Sequence, residues 1–176
     1  DYVSYENPVL VDSITLIAVK KSFDKPLRFV TLKSGLEQLL HVPGNYDDNS
    51  LRYSNGYLIW SEKRVNPRWS YLDYSEVVLL NIQTHKRRRI KRKTRWFAPC
   101  LNPTADKIAL VEVDKANNSF LLIVDLEGVE LKRIGFGNRE MIYHPNWFGA
   151  NEVVLSSLKG KSNFLLEVDL SNEAIK

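Results

Sequence analysis

A single cysteine, Cys100, stands in 176 residues. One thiol excludes an internal disulfide and a thiolate zinc cluster, so cysteine usage does not decide the compartment. Following Pro99 in an apolar context, Cys100 reads as a small buried side chain rather than a nucleophile. Histidine is nearly as scarce. His41, His85 and His144 lie far apart, and no His-Glu-x-x-His occurs, so no metal site is expected. No apolar run approaches the roughly 20 residues that span a bilayer, and no signal peptide is visible. The chain begins at Asp1 rather than Met, as a processed product or a piece of something longer would. A Gly-x-Ser-x-Gly nucleophile elbow is missing, which removes the serine-hydrolase motif. Gly135-Phe136-Gly137 lacks the third glycine and the strand-to-helix context of a phosphate loop. No stretch carries a sustained 3.6-residue apolar stripe, so helices are not expected. No cofactor is expected either.

What is present begins with charge. The formal net charge is +4, but one stretch produces it. Lys86-Arg87-Arg88-Arg89-Ile90-Lys91-Arg92-Lys93-Thr94-Arg95 contains no acidic residue. With that stretch set aside, acidic residues outnumber basic ones, so the molecule is mildly acidic with one basic stripe.

A repeat organises the rest. Pro99 is followed by the polar turn Asn102-Pro103-Thr104-Ala105-Asp106-Lys107 and the apolar run Ile108-Ala109-Leu110-Val111; Pro145 is followed by Asn151-Glu152 and Val153-Val154-Leu155. Ser119-Phe120-Leu121-Leu122-Ile123-Val124-Asp125-Leu126 then matches Asn163-Phe164-Leu165-Leu166-Glu167-Val168-Asp169-Leu170. Pro8, with Leu16-Ile17-Ala18-Val19 and Arg28-Phe29-Val30-Thr31-Leu32, starts a third copy. Ser50, with Tyr57-Leu58-Ile59-Trp60 and Val77-Val78-Leu79-Leu80, starts a weaker fourth. The markers Pro8, Ser50, Pro99 and Pro145 recur at about 40–50 residues, the period of a propeller blade. The runs are short, β-branched and aromatic, and bounded by Asn, Asp, Gly, Ser and Pro, which predicts strands. Gly35 and Gly128 fall where a tight hairpin needs positive φ, a place Ser171-Asn172 takes in the last repeat. The reading is therefore all-β: four-stranded antiparallel blades, about four of them, spanning about residues 4–43, 44–94, 95–138 and 139–176. Trp60, Trp96 and Trp147 fall at or beside strand positions and are expected between blades.

The third repeat resembles the TolB-type propeller repeat, in the turn at Asn102-Pro103-Thr104-Ala105-Asp106-Lys107 and the hairpin Asp125-Leu126-Glu127-Gly128. The turn departs from the family pattern in its Ser position and missing glycine. The resemblance implies a propeller, usually of six blades or more, so four repeats look like part of a larger ring. It also implies a bacterial envelope or periplasmic setting, with the cytoplasm left open. Trp60-Ser61-Glu62 and Asn66-Pro67-Arg68-Trp69-Ser70-Tyr71-Leu72-Asp73-Tyr74-Ser75 resemble propellers found beside peptidase domains, which implies that any catalytic domain lies outside this chain.

The functional reading that follows is a non-catalytic interaction or substrate-gating module. Its partner would be a protein, a peptide or a neighbouring domain of the same polypeptide. The alternative is a propeller enzyme, a lyase or hydrolase acting at the axial channel. The repeat entries near Tyr5-Glu6-Asn7, Asn49-Ser50, Trp96-Phe97 and Tyr143-His144 offer that alternative only one Glu and one His. Arg68, Trp69, Tyr71, Asp73 and Tyr74 crowd one long connection and are the candidate partner surface, aromatics and arginine being typical of binding hot spots. Arg87, Arg88, Arg89, Lys91 and Arg92 are read as a solvated basic edge on an outer strand, where charge discourages edge pairing. Few aromatics interleave, so specific nucleic-acid binding is not expected. On this reading, replacing Arg87, Arg88 and Arg89 by Ser leaves the fold intact. Ala18, Ala109 and Ser156 are too small to fill the wedges of a four-blade ring, so an open arc is expected. Its end faces would lie near Leu10, Ile14 and Leu16 and near Val154, Leu165 and Val168, and would allow an end-to-end homodimer.

Overall fold

The computed structural model describes residues 2–69, 73–90, 94–137 and 140–176. No helix occurs among them. The strands are β1 (Val3–Leu10), β2 (Thr15–Ser22), β3 (Arg28–Lys33), β4 (Leu36–His41), β5 (Arg52–Ser54), β6 (Tyr57–Arg64), β7 (Tyr74–Asn81), β8 (Arg87–Arg89), β9 (Trp96–Leu101), β10 (Lys107–Val113), β11 (Ser119–Asp125), β12 (Glu130–Gly135), β13 (Glu140–Trp147), β14 (Glu152–Lys159) and β15 (Ser162–Asp169). They form four antiparallel meanders, β1-β2-β3-β4, β5-β6-β7-β8, β9-β10-β11-β12 and β13-β14-β15. The fourth departs from the four-stranded expectation. Its outer position is taken by the segment 174–176, where Ile175 bridges Val168 and Lys176 exchanges backbone hydrogen bonds with Glu167.

Three apolar seams hold the sheets together, and alternation along each strand decides which residue enters which seam. In the third sheet Ile108, Leu110, Leu122 and Val124 face Ile59, Val77 and Leu79 of the second. The intervening Ala109, Val111, Leu121 and Ile123 face Ile142, Val153 and Leu155 of the fourth. A sheet covered on both faces needs apolar residues at successive positions, which is why this repeat reads as unbroken apolar runs. The first seam joins Ile17, Val19 and Phe29 to Leu58, Trp60, Val78 and Leu80, with Tyr46 and Leu51 from the connection between the sheets.

The repeat markers have a backbone cause. The residues just before them, Asn7, Asn49, Ala98 and His144, have φ of 48°, 63°, 46° and 48°. Pairing of the innermost strand slips beside three of them: between Glu6 and Val9, between Ala109 and Val111 of the partner strand, and between Tyr143 and Asn146. Each is a bulge that re-aims the strand next to the central space. Proline follows without loss because an innermost strand is a sheet edge and that position needs no ladder N–H. Gly35 and Gly128, at φ 79° and 82°, make the hairpins expected of them. In the last repeat the left-handed residue is Glu173, at φ 59°, not Ser171 or Asn172.

The sheets do not close into a ring. Leu10 and Ile14 at one end and Leu165 at the other are exposed, as expected for open faces. Val168 is a correction: it is fully buried against the third sheet. β15 carries Leu165 and Leu166 side by side, so its apolar pattern alone does not say which parity faces inward.

Candidate interaction site at the axial mouth

On one face of the arc lie the connections that lead into β5, β9 and β13, together with the β6–β7 and β10–β11 loops. A cavity of about 280 Å³ opens there between the innermost strands. Asp47, Asp48 and Asn49 line it from the connection into β5, Phe97 from β9, and Met141, Tyr143 and His144 from β13. Three of the four repeat entries thus converge, as their common phase requires. A second cavity of about 240 Å³ adjoins it, lined by Lys63, Arg64, Val65, Asp73, Tyr74, Arg95 and Phe97. Phe97 borders both.

The walls carry fixed charges. Lys63 Nζ lies 2.8 Å from Asp47, and Lys21 bridges Glu6 at 2.8 Å and Asp48 at 3.2 Å. The Lys21 ammonium holds the Glu6 carboxyl below its usual range, against a smaller opposing effect of burial. The His144 ring meets the Tyr143 ring, centroids 6.4 Å apart. Among the described residues no hydroxyl or thiol hydrogen-bonds to any histidine, and no group of three or more His, Cys, Asp or Glu is arranged to hold a metal. Cys100 is buried in the third seam, and burial pushes its thiol pKa up to about 12, which keeps it protonated.

The candidate loop residues divide. Asp73 and Tyr74 line the second cavity. Arg68 and Trp69 do not; their backbone N–H groups both donate to Asn66 Oδ1 at 3.0 Å, and the Arg68 guanidinium sits 5.3 Å from the Trp69 ring centroid. Asp73 Oδ1 accepts the Asn66 N–H at 2.7 Å, which ties the two ends of the loop. Trp69 stays 46% exposed. Tyr71, Lys91 and Arg92 lie outside the described residues.

The basic stripe is more than an edge. Arg87, Arg88 and Arg89 form the outer strand β8, but Arg87 and Arg89 reach across the sheet to acids that sequence reasoning passed over. Glu62 is fully buried. It accepts the Gly44 N–H at 3.0 Å, the Trp60 indole N–H at 3.1 Å, Arg87 at 3.0 Å and Arg64 at 2.9 Å. A Cβ at Gly44 would sit 2.8 Å from Glu62 Oε2, so only glycine brings its backbone this close. Glu76 accepts Arg64 and Arg89 at 2.8 and 2.9 Å. Burial by itself would raise the Glu62 carboxyl; the Gly44 and Trp60 donors and Arg87 together outweigh it and hold the group below its ordinary range. The serine replacement of all three arginines would therefore take one cationic partner from each of two buried carboxylates and leave both to Arg64.

A signal for this existed in the repeat. Lys20, Glu62, Glu112 and Ser157 occupy the same place, four residues after Leu16, Leu58, Ile108 and Val153, which pair with Leu10, Tyr53, Leu101 and Trp147. Each meets a polar partner: Glu37, Arg87, Arg133 and Glu140. A polar residue recurring at one phase of an apolar strand marks a bracing pair within the blade.

The fold and the cavity define a β-propeller arc with a bordered axial mouth. Solved structures of that class are similar to it throughout. A putative TolB from Agrobacterium tumefaciens matches over 98% of this chain and 64% of its own, at TM-score 0.74 and 10% identity. The β-propeller domain of the Trilobed protease from Pyrococcus furiosus, described as having an open velcro topology, matches over 99% of this chain and 56% of its own, at TM-score 0.61 and 12% identity. A puromycin-hydrolyzing peptidase from Mycobacterium tuberculosis matches over 98% of this chain and 30% of its own, at TM-score 0.63 and 14% identity. The chain thus has the TolB-like propeller fold and spans less than two thirds of the length of these proteins. No family model and no curated protein matches the sequence.

Proposed function

We propose that the chain is a non-catalytic interaction or gating module, whose axial mouth and β6–β7 loop receive a protein or peptide partner or a neighbouring domain. One observation carries this reading: two adjoining cavities on the loop-bearing face share Phe97 and are walled by aromatic side chains and fixed charges. Concave, partly apolar surfaces with a few placed polar groups are where ligands bind, and rigid blades beneath the loops keep them pre-formed. Arg68 and Trp69, on the loop whose ends Val65 and Asp73 line the second cavity, are the candidate anchor of a larger partner. The resemblance to TolB-type repeats supports a bacterial envelope or periplasmic setting.

Selection of random peptides on the whole chain tests the reading. Peptides that bind should weaken at least tenfold on Phe97→Ala or Tyr143→Ala and less on Trp69→Ala. Peptides indifferent to Phe97 and Tyr143 would move the site elsewhere. Turnover of a peptide or ester substrate that is lost in His144→Ala would replace the module by an enzyme.

A further inference from the structure

Arg95 opens the second cavity at the base of β9, and its guanidinium is held in place without being neutralised. Nη1 donates to the Asp114 carbonyl oxygen at 2.7 Å and Nη2 to Asn117 Oδ1 at 3.2 Å. Both acceptors are uncharged. The Asp114 carboxylate is spent inside its own loop, on the Ala116 and Asn118 N–H groups at 2.8 Å each and on Asn118 Nδ2 at 3.0 Å. The Arg95 backbone is pinned as well, its carbonyl accepting the Val113 N–H at 3.0 Å. Among the described residues no carboxylate pairs with Arg95, whereas Arg64 beside it is taken by Glu62 and Glu76 and Lys63 by Asp47. Asp73, the one carboxylate in the lining, accepts the Asn66 N–H.

We infer that Arg95 is a carboxylate-recognising subsite of the axial mouth, and that the ligand presents its anion there while an adjacent apolar side chain crosses Phe97 into the first cavity. The inference rests on the interaction reading above and adds ligand chemistry and direction to it. A planar guanidinium fixed by neutral acceptors keeps donors for an incoming anion, and charge-assisted bonds of this kind are about twice as strong as neutral ones. In the first cavity Asp47 is matched by Lys63, and Asp48 shares Lys21 with Glu6, so no unmatched cation there competes with Arg95: the anion goes to Arg95 and the apolar group to Phe97 and Tyr143. A chain terminus and an acidic side chain present the same carboxylate chemistry to Arg95.

Three probes test it by nuclear magnetic resonance on the whole chain: N-acetylphenylalanine, N-acetylphenylalaninamide and N-acetylaspartyl-phenylalaninamide. The free acid should shift the Arg95 Nε–H and Phe97 signals and bind about tenfold tighter than the carboxamide. Equal binding by the aspartyl probe assigns an internal acidic residue as a sufficient ligand; its failure beside success of the free acid assigns a terminus, and either result supports the subsite. Arg95→Gln should bring the acid down to the carboxamide's affinity, and Arg95→Lys should restore part of the difference. The comparison of acid with carboxamide on the unaltered chain stands even where a variant loosens the Asp114–Asn118 loop. Acid and carboxamide binding equally at Phe97 would overturn the carboxylate subsite and leave the interaction reading standing. No shift at Phe97 or Tyr143 with any probe would overturn both.

Discussion

Between the second and third sheets β9 lies directly against β5, β6 and β7, and between the third and fourth β13 lies against β9, β10 and β11. Between the first and second, β1 and β5 are the strands that come close, and large side chains bridge the wider gap. Phe29 packs edge-on to Trp60 and Tyr46 at 5.1 and 5.5 Å, and His41 lies 5.5 Å from the Trp60 ring. The Glu62–Arg87 and Glu76–Arg89 pairs close the end of that seam. The later seams are mainly aliphatic, with Trp96 in the second and Phe136 and Trp147 against the third. Most of their strength is area removed from water, which is indifferent to pH; the first seam adds a cluster of rings and two buried carboxylates, Glu62 and Glu76, whose strength depends on geometry and protonation.

The largest test of this contrast is Trp60→Ala. Emptying a fully buried indole should destabilise the chain by about 4 kcal/mol, against about 3 kcal/mol for Leu110→Ala in the second seam. Denaturant unfolding of both variants decides it, and the contrast fails if Leu110→Ala is the more damaging. Glu62→Gln comes next, at about 2 kcal/mol. It removes the charge that two one-third-exposed arginines surround, and their access to water reduces the loss from that of a fully buried pair. The triple Arg87, Arg88, Arg89→Ser change should be at least as harmful, for the reverse reason.

The same contrast predicts a directional pH response. Burial holds the His41 imidazole below its ordinary pKa of 6.5, with Arg87 adding to the effect and Glu62 opposing it, and Glu62 is held below its ordinary 4.5. A folded pKa below the unfolded one contributes stability that is complete above the unfolded value and is lost as pH falls through the folded one. For both groups, therefore, acid weakens the first seam: His41 begins below pH 6.5 and Glu62 below pH 4.5. Hydrogen exchange measured from pH 7 to 4 should show β2, β3 and β6 losing protection before β11 and β14. Simultaneous loss in all four sheets would erase the distinction.

How far the sequence speaks follows from the range of each interaction. The four repeat entries were legible because the backbone turn at each is local: a left-handed residue and the proline or serine after it recur at one phase, whatever the neighbours. The sandwiched third sheet was legible because burial on both faces leaves an unbroken apolar run. The Glu62–Arg87 pair was not, since the partners are joined only through the β6–β7–β8 meander, and a run of arginines looks the same whether it faces water or an acid. Val168 failed for a smaller reason, because apolar residues occupy both parities of β15. At the candidate site, Asp73 and Tyr74 were within reach of composition. Arg95 was not, because its significance lies in which acceptors it lacks.

The smallest effect isolates the basic strand from within. Arg88 alternates with Arg87 and Arg89, so it points to the opposite face of β8, where it meets Glu127 at 3.2 Å. Both side chains are well exposed, 45% and 68%. Exposed pairs of this sort contribute at most about 0.5 kcal/mol, and salt screens what remains. Arg88→Ser should therefore shift the unfolding midpoint barely beyond error, and added salt should remove even that. Arg87→Ser, one residue away, should keep most of its loss in high salt, because Glu62 is buried and poorly screened. Equal losses at the two positions, or equal salt dependence, would return the whole strand to a solvated edge and remove the ionic seam from the account.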